Sequence, residues 1–202
     1  MKWGDMKAKQ KTNPPGRIKI MKSFTLLMGK KDFHSITTAE IAGKAGITEG
    51  LIYKYFKDKK DLLYQVLGEE FKVFLSRIRS RVSRESSCED QLKVFITTSL
   101  EVYTQNRVFS RILMLEVRNS PVYFESMAYE MVKEYAEAIL DIIQRGIENK
   151  EFKPDTDPYL LRKIILGAIE HACLKEVIFN REIDNRAVSR GISTIILNGV
   201  RS

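Results

Sequence analysis

Apolar residues along this chain recur at three- and four-residue intervals, the spacing that turns one face of an α-helix toward a core. No sustained alternation of apolar and polar positions breaks that pattern, so the expected fold is all-α. The clearest instance spans residues 59–82, where Leu62, Leu63, Val66, Leu67, Phe71, Phe74, Leu75, Ile78 and Val82 share one broad face that needs covering. The same reading predicts helices over 17–29, 38–45, 49–56, 89–105, 108–118, 121–149, 157–180 and 185–200, about nine in all. Pro121 is expected at the first position of its helix, where a missing N–H costs nothing. Thr37 with Glu40 has the spacing of a capping box, and Asp58 with Asp61 is placed to do the same for the helix from 59.

Residues 37–56 read TTAEIAGKAGITEGLIYKYF. Ile41, Ala42 and Ala45 form the inner face of a short helix, Gly46 permits a left-handed turn, Ile47 plugs the corner, and Thr48 is placed to cap a second helix whose Ile52 and Phe56 point inward. This is a helix-turn-helix pattern. In that motif the second helix enters the DNA major groove, and its short length here leaves Tyr53, Lys54 and Tyr55 for contact. Lys59 sits in the first turn of the next helix, against the macrodipole. Either a phosphate lies over that helix start, or the lysine is simply exposed in a lysine-rich run.

Composition sharpens this picture. The 202 residues are 44% hydrophobic and 30% charged, with a net charge of +8, too apolar for a disordered chain. Residues 1–61 hold 14 Lys and Arg against 6 Asp and Glu, while residues 62–202 hold 20 of each, so the entire excess lies in the first third. A basic module on a neutral body is the electrostatic footprint of a nucleic-acid binder, although an exposed basic face alone would also carry that charge. The expected division is a disordered basic tail at 1–15, a DNA-binding domain at 16–61 and a larger domain at 62–202. No stretch approaches about 18 consecutive apolar residues and no signal sequence opens the chain, so the expected location is the cytoplasm, away from membranes. Cys88 and Cys173 are the only cysteines and read as buried small side chains. With only His34 and His171, no GxSxG, no P-loop and no metal-ligand spacing, an enzyme is not expected, nor is a metal or cofactor.

The segment ITTAEIAGKAGITEGLIYKYFKDKKDLLYQVL, residues 36–67, resembles the DNA-binding signature of the tetracycline-repressor (TetR) family. The joint spacing of Ile41, Gly46, Gly50, Tyr53, Phe56 and Lys59 carries the resemblance. It implies phosphate contacts at Thr38, Tyr53, Tyr55 and Lys59, base-reading positions at Thr48, Glu49, Leu51 and Lys54, and close approach of DNA at Gly50. Three residues depart from the family pattern. Glu49 replaces a basic or small residue and either accepts from a cytosine amino group or complements the helix dipole. Leu51 replaces a small hydroxyl residue and either meets a thymine methyl or is tucked partly into the core. Asp32 stands where a glycine normally ends the first helix in a left-handed conformation.

The neutral remainder has its own job. The helix at 157–180 is apolar on two sides, and the one at 185–200 carries Val188, Ile192, Ile195 and Ile196, with Gly167, Gly191 and Gly199 permitting close approach. These point to a homodimer reading a palindromic operator, against the alternative of a monomeric bundle using both faces internally. The stretches FSRILMLEVRNSPVYF, RGIENKEFKPDTDP and ILGAIEHACLKEVI resemble the fatty-acid-degradation regulators within the TetR family, which implies release from DNA by long-chain acyl-CoA. On that resemblance Phe74, Tyr103, Met114, Met127, Met131 and His171 are the candidate ligand-binding residues, with Arg111 and Arg118 facing the CoA phosphates. Either arginine can equally pair with Glu116 or another carboxylate, and the large side chains can equally be ordinary core. A regulator sensing a different hydrophobic molecule, such as an efflux repressor, and a constitutive DNA-binding protein with no inducer are the competing readings.

Overall fold

A computed structural model describes residues 14–201 of the chain. The expected tail at 1–15 falls almost wholly outside them. The chain divides into two compact units between Leu62 and Leu63. The first contains α1 (Pro15–Met28), a 3₁₀ turn (Phe33–Ser35), α2 (Thr38–Ala45), α3 (Glu49–Tyr55) and the start of α4 (Lys59–Val82). The second contains the rest of α4, then α5 (Cys88–Gln105), α6 (Arg107–Arg111), α7 (Met127–Glu148), α8 (Pro158–Ile178) and α9 (Asn185–Val200). Among the described residues the one extended pairing is an isolated bridge between Phe152 and Arg201.

Local chemistry places most of the boundaries. Thr37 accepts from the Glu40 N–H at 3.1 Å while the Glu40 carboxylate accepts from the Thr37 N–H at 3.0 Å, completing the capping box of α2. Asp58 accepts from the Asp61 N–H and Asp61 from the Lys57 N–H, both at 2.8 Å, which caps α4 in the same reciprocal way. Two predicted helices are broken. The segment 121–149 is a 3₁₀ turn (Pro121–Glu125) followed by α7, because Ser126 takes an extended conformation and its side chain caps α7 by accepting from the Tyr129 N–H. Pro121 opens the short turn rather than the long helix. The segment 108–118 is α6 followed by a π-helical turn (Ile112–Glu116), where three successive side chains, Ile112, Leu113 and Met114, are all buried. A regular helix would spread those three over about 200° of its circumference. Asp32 is extended, at φ −72° and ψ 151°, and opens the 3₁₀ turn instead of ending α1 in a left-handed conformation.

The core of the second unit is aromatic. Phe71, Phe74, Phe95, Tyr103, Phe109 and Tyr135 are buried, and the ring centroids of Phe74 and Phe95 each lie 5.0 Å from that of Tyr135. The Tyr135 hydroxyl donates to Ser99 Oγ at 2.9 Å, and Ser110 donates to the Tyr103 carbonyl at 2.8 Å, so the polar groups enclosed there are satisfied. Burial pushes the phenols of Tyr103 and Tyr135 well above their ordinary range, and it lifts the Cys173 thiol to about 12. Cys88 and Cys173 are buried free thiols.

Candidate functional site

The helix-turn-helix is built by the first unit. Gly46 ends α2 at φ 64°, and the Ile47 N–H turns back to the Ala42 carbonyl at 3.1 Å, closing the corner that sets α3 across α2. Ile52 and Phe56 anchor α3 from below, at 0% and 1% exposure. Tyr53 and Lys54 then project to solvent, with Thr48, Glu49 and Gly50 exposed at the leading end of α3. That end is the part of the motif aimed at base edges in a major groove.

Not every candidate faces outward. Leu51 and Tyr55 are half-buried, and both pack on the first turn of α1, where a Cβ added to Gly16 would meet the Tyr55 ring at 3.3 Å and a Leu51 methyl at 3.5 Å. For Leu51 that packing is the setting of the tucked-in reading, with the rest of its side chain at the surface. Thr48 precedes α3 in an extended conformation, but its side chain makes no capping hydrogen bond, contrary to the expected cap. Thr38 donates its hydroxyl to the Glu49 carboxylate at 2.8 Å, which ties the start of α2 to the start of α3 and occupies one oxygen of Glu49.

Lys59 is the largest departure. Its ammonium neither reaches over the α4 start nor hangs free: it donates to the carbonyls of Ile36 at 2.6 Å and Phe33 at 2.9 Å, with His34 at 3.5 Å. It also lies 4.5 Å from the centre of the Phe33 ring. The Phe33 carbonyl keeps only a long 3₁₀ bond from the Ile36 N–H at 3.3 Å, and Lys59, the first residue of α4, adds a charged donor to it and to the Ile36 carbonyl. Burial pulls the ammonium below the ordinary lysine value, opposed by the Glu40 carboxylate. Glu40 is itself held low, first by its hydrogen bond from Lys31 and then by the Thr37 N–H. Sequence reading missed this arrangement because its acceptors are backbone atoms 23 to 26 residues away.

In the second unit the ligand candidates separate. Phe74, Tyr103 and Met114 lie in the core, and Arg111 and Met131 are half-buried. Met127 is 46% exposed at the first position of α7, and His171 is exposed on the outer face of α8, so neither joins that core. Arg118 is committed to a carboxylate, but the partner is Glu170 rather than Glu116. Its two guanidinium nitrogens donate to both Glu170 oxygens at 2.6 and 2.7 Å, a bidentate fork. That hydrogen bonding raises the Arg118 pKa further. No helix among the described residues is long and apolar enough to cross a membrane.

Comparison with known proteins follows this division. Residues 25–66 match a family model described as bacterial regulatory proteins, tetR family, and residues 67–199 match one described as YsiA-like protein, C-terminal region. The chain is 23% identical over 192 residues to the fatty acid metabolism regulator protein of Bacillus subtilis, covering 95% of this chain and 99% of that one. Two solved structures share the fold at 23% identity. The fatty acid degradation regulator FadR from Bacillus halodurans superposes with a TM-score of 0.83 over 94% of this chain and 98% of its own. FadR from Bacillus subtilis, solved in complex with stearoyl-CoA, superposes with a TM-score of 0.82 over 91% and 99%.

Proposed function

The chain belongs to the tetR family of bacterial regulatory proteins, and on that premise we propose that it is a dimeric repressor released from a palindromic operator by long-chain acyl-CoA. The observation that carries the DNA-binding part is the reading helix: seven residues anchored by Ile52 and Phe56, with Tyr53 and Lys54 left outside. In this reading Lys54 reads base edges with Thr48 and Glu49, Gly50 lets the backbone approach, and Thr38 and Tyr53 meet phosphates. Leu51 and Tyr55 support the helix from behind, and Lys59 holds the turn before α2.

Dimerisation is argued from the outer faces of α8 and α9. Leu160, Ile164 and Ile195 are 54%, 51% and 76% exposed, and Gly167, Gly191 and Gly199 have open space where a Cβ would stand. Apolar side chains separated by small residues suit a second copy of the same face, as a two-fold axis requires. His171, on that outer face of α8, fits an interface position better than a ligand site. Two such copies would present two reading helices to half-sites about 34 Å apart.

The effector is argued from the aromatic core and from the resemblance to a regulator solved with stearoyl-CoA. An acyl chain would enter among Phe74, Tyr103, Met114 and Met131, and to shift the operator equilibrium it needs a differential affinity of about 1 to 3 kcal/mol between the two states. Binding to a labelled operator with and without stearoyl-CoA tests this, with free stearate and short-chain thioesters as comparators. Affinity unchanged at saturating long-chain thioester would sink the effector, leaving the DNA-binding reading intact.

A further inference from the structure

Along one row of α9, Arg186, Arg190, Thr194 and Asn198 follow one another at four-residue spacing, each about 6 Å further up the helix. All four are exposed, and all four line a groove of about 540 Å³ whose opposite side is formed by Lys93 of α5 and Arg201. That volume is in the range of small-molecule sites. Lys93 is occupied by Glu89 at 2.7 Å and Asp90 at 3.0 Å, and Arg201 forks onto Glu89 at 2.5 and 3.0 Å. Among the described residues neither guanidinium of Arg186 and Arg190 is paired with a carboxylate, and the lining of the groove holds four cationic side chains and no Asp or Glu, the nearby Glu89, Asp90 and Asp184 all lying outside it. Arg186 stands in the first turn of α9, where the Asp184 carboxylate caps the helix by accepting from the Arg186 and Ala187 N–H groups, both at 3.0 Å, so that carboxylate is spent on the backbone.

We propose that this groove is a binding site for the diphosphate group of a small molecule. Two guanidinium forks one turn apart match two linked phosphates, since each fork donates two parallel hydrogen bonds to one phosphate. Thr194 and Asn198 continue the row of donors toward whatever the diphosphate carries. At about 100° per residue the row lies about 150° around α9 from Val188, Ile192, Ile195 and Gly199, so a dimer formed through Ile195 leaves the groove open. The site is independent of the acyl-CoA reading, because none of Phe74, Tyr103, Met114 and Met131 lines it and it needs no acyl chain.

The test uses the full-length protein with inorganic pyrophosphate and ADP as probes, followed by isothermal titration calorimetry against sodium sulfate at matched ionic strength. Saturable binding of either probe, with sulfate at least tenfold weaker, is the expected result. Tighter binding of ADP identifies a nucleotide, and tighter binding of pyrophosphate identifies the free diphosphate. The Arg186→Gln, Arg190→Gln double variant replaces exposed side chains and should keep its helical circular dichroism and melting temperature while losing at least tenfold in affinity. Equal binding of sulfate and pyrophosphate, no binding of either probe, or an unchanged affinity in the double variant would overturn the site.

Discussion

Replacing Lys59 by methionine separates two roles that the sequence alone leaves together. The ammonium makes two well-formed hydrogen bonds, 2.6 Å to Ile36 and 2.9 Å to Phe33, plus a marginal one at 3.5 Å. Hydrogen bonds from a charged donor contribute about 1.5 to 3 kcal/mol each when buried. Lys59 is half-buried, so water replaces part of that on removal, and methionine keeps the apolar stem. The net loss worked from the two good bonds is about 2 kcal/mol, a roughly 30-fold shift toward the unfolded first unit. For a unit of this size that lowers its melting temperature by about 10 °C. Circular dichroism melting, with amide hydrogen exchange at Phe33 to Ile36, reads the effect directly. Operator binding should weaken while the slope of log affinity against log salt stays as it was. A lost phosphate contact would flatten that slope by about 0.9. A flattened slope with unchanged melting would refute the inward role and restore Lys59 to the DNA.

Other predictions rest on different contacts. Gly146→Ala places a Cβ 2.3 Å from the Phe152 ring, so it should destabilise the second unit by about 2 to 3 kcal/mol in urea denaturation, and a variant within 0.5 kcal/mol would show that the ring moves freely. Arg118→Gln and Glu170→Gln should lower stability equally, by about 1 kcal/mol given their partial exposure; if Arg118→Gln alone blunts the response to stearoyl-CoA, Arg118 holds the effector. Ile195→Asp should give monomers in analytical ultracentrifugation with circular dichroism unchanged, whereas persistent dimers would move the interface elsewhere. Glu89 is held low by hydrogen bonds from Lys93 and then Arg201, so its folded pKa lies below its unfolded one. Its contribution is therefore complete above the unfolded value and is lost as pH falls through the folded one. Glu89→Gln should flatten the decline in melting temperature below about pH 4.

Most of the secondary structure was legible because it is written in short-range chemistry. The bounds of α2, α4 and α9 follow from caps reaching two to four residues and from apolar spacing, as does the turn at Gly46. The breaks at Ser126 and at Ile112–Glu116 were not legible from periodicity, since apolar spacing continues across both. A serine that caps and a serine that sits mid-helix read alike until the packing around it is known.

An all-helical regulator with a basic helix-turn-helix head and a neutral body is readable from the order of residues, because charge, periodicity and the motif are properties of near neighbours in the chain. What individual side chains do is set by the packed fold. Lys59 turns inward to carbonyls 23 to 26 residues away, and Arg118 finds Glu170 across 52 residues of chain. His171 and Met127 face outward although their local surroundings are apolar, and Arg186 and Arg190 are left facing a groove closed by Lys93. Each outcome depends on which atoms a side chain meets across the fold, and periodicity specifies only which way it starts.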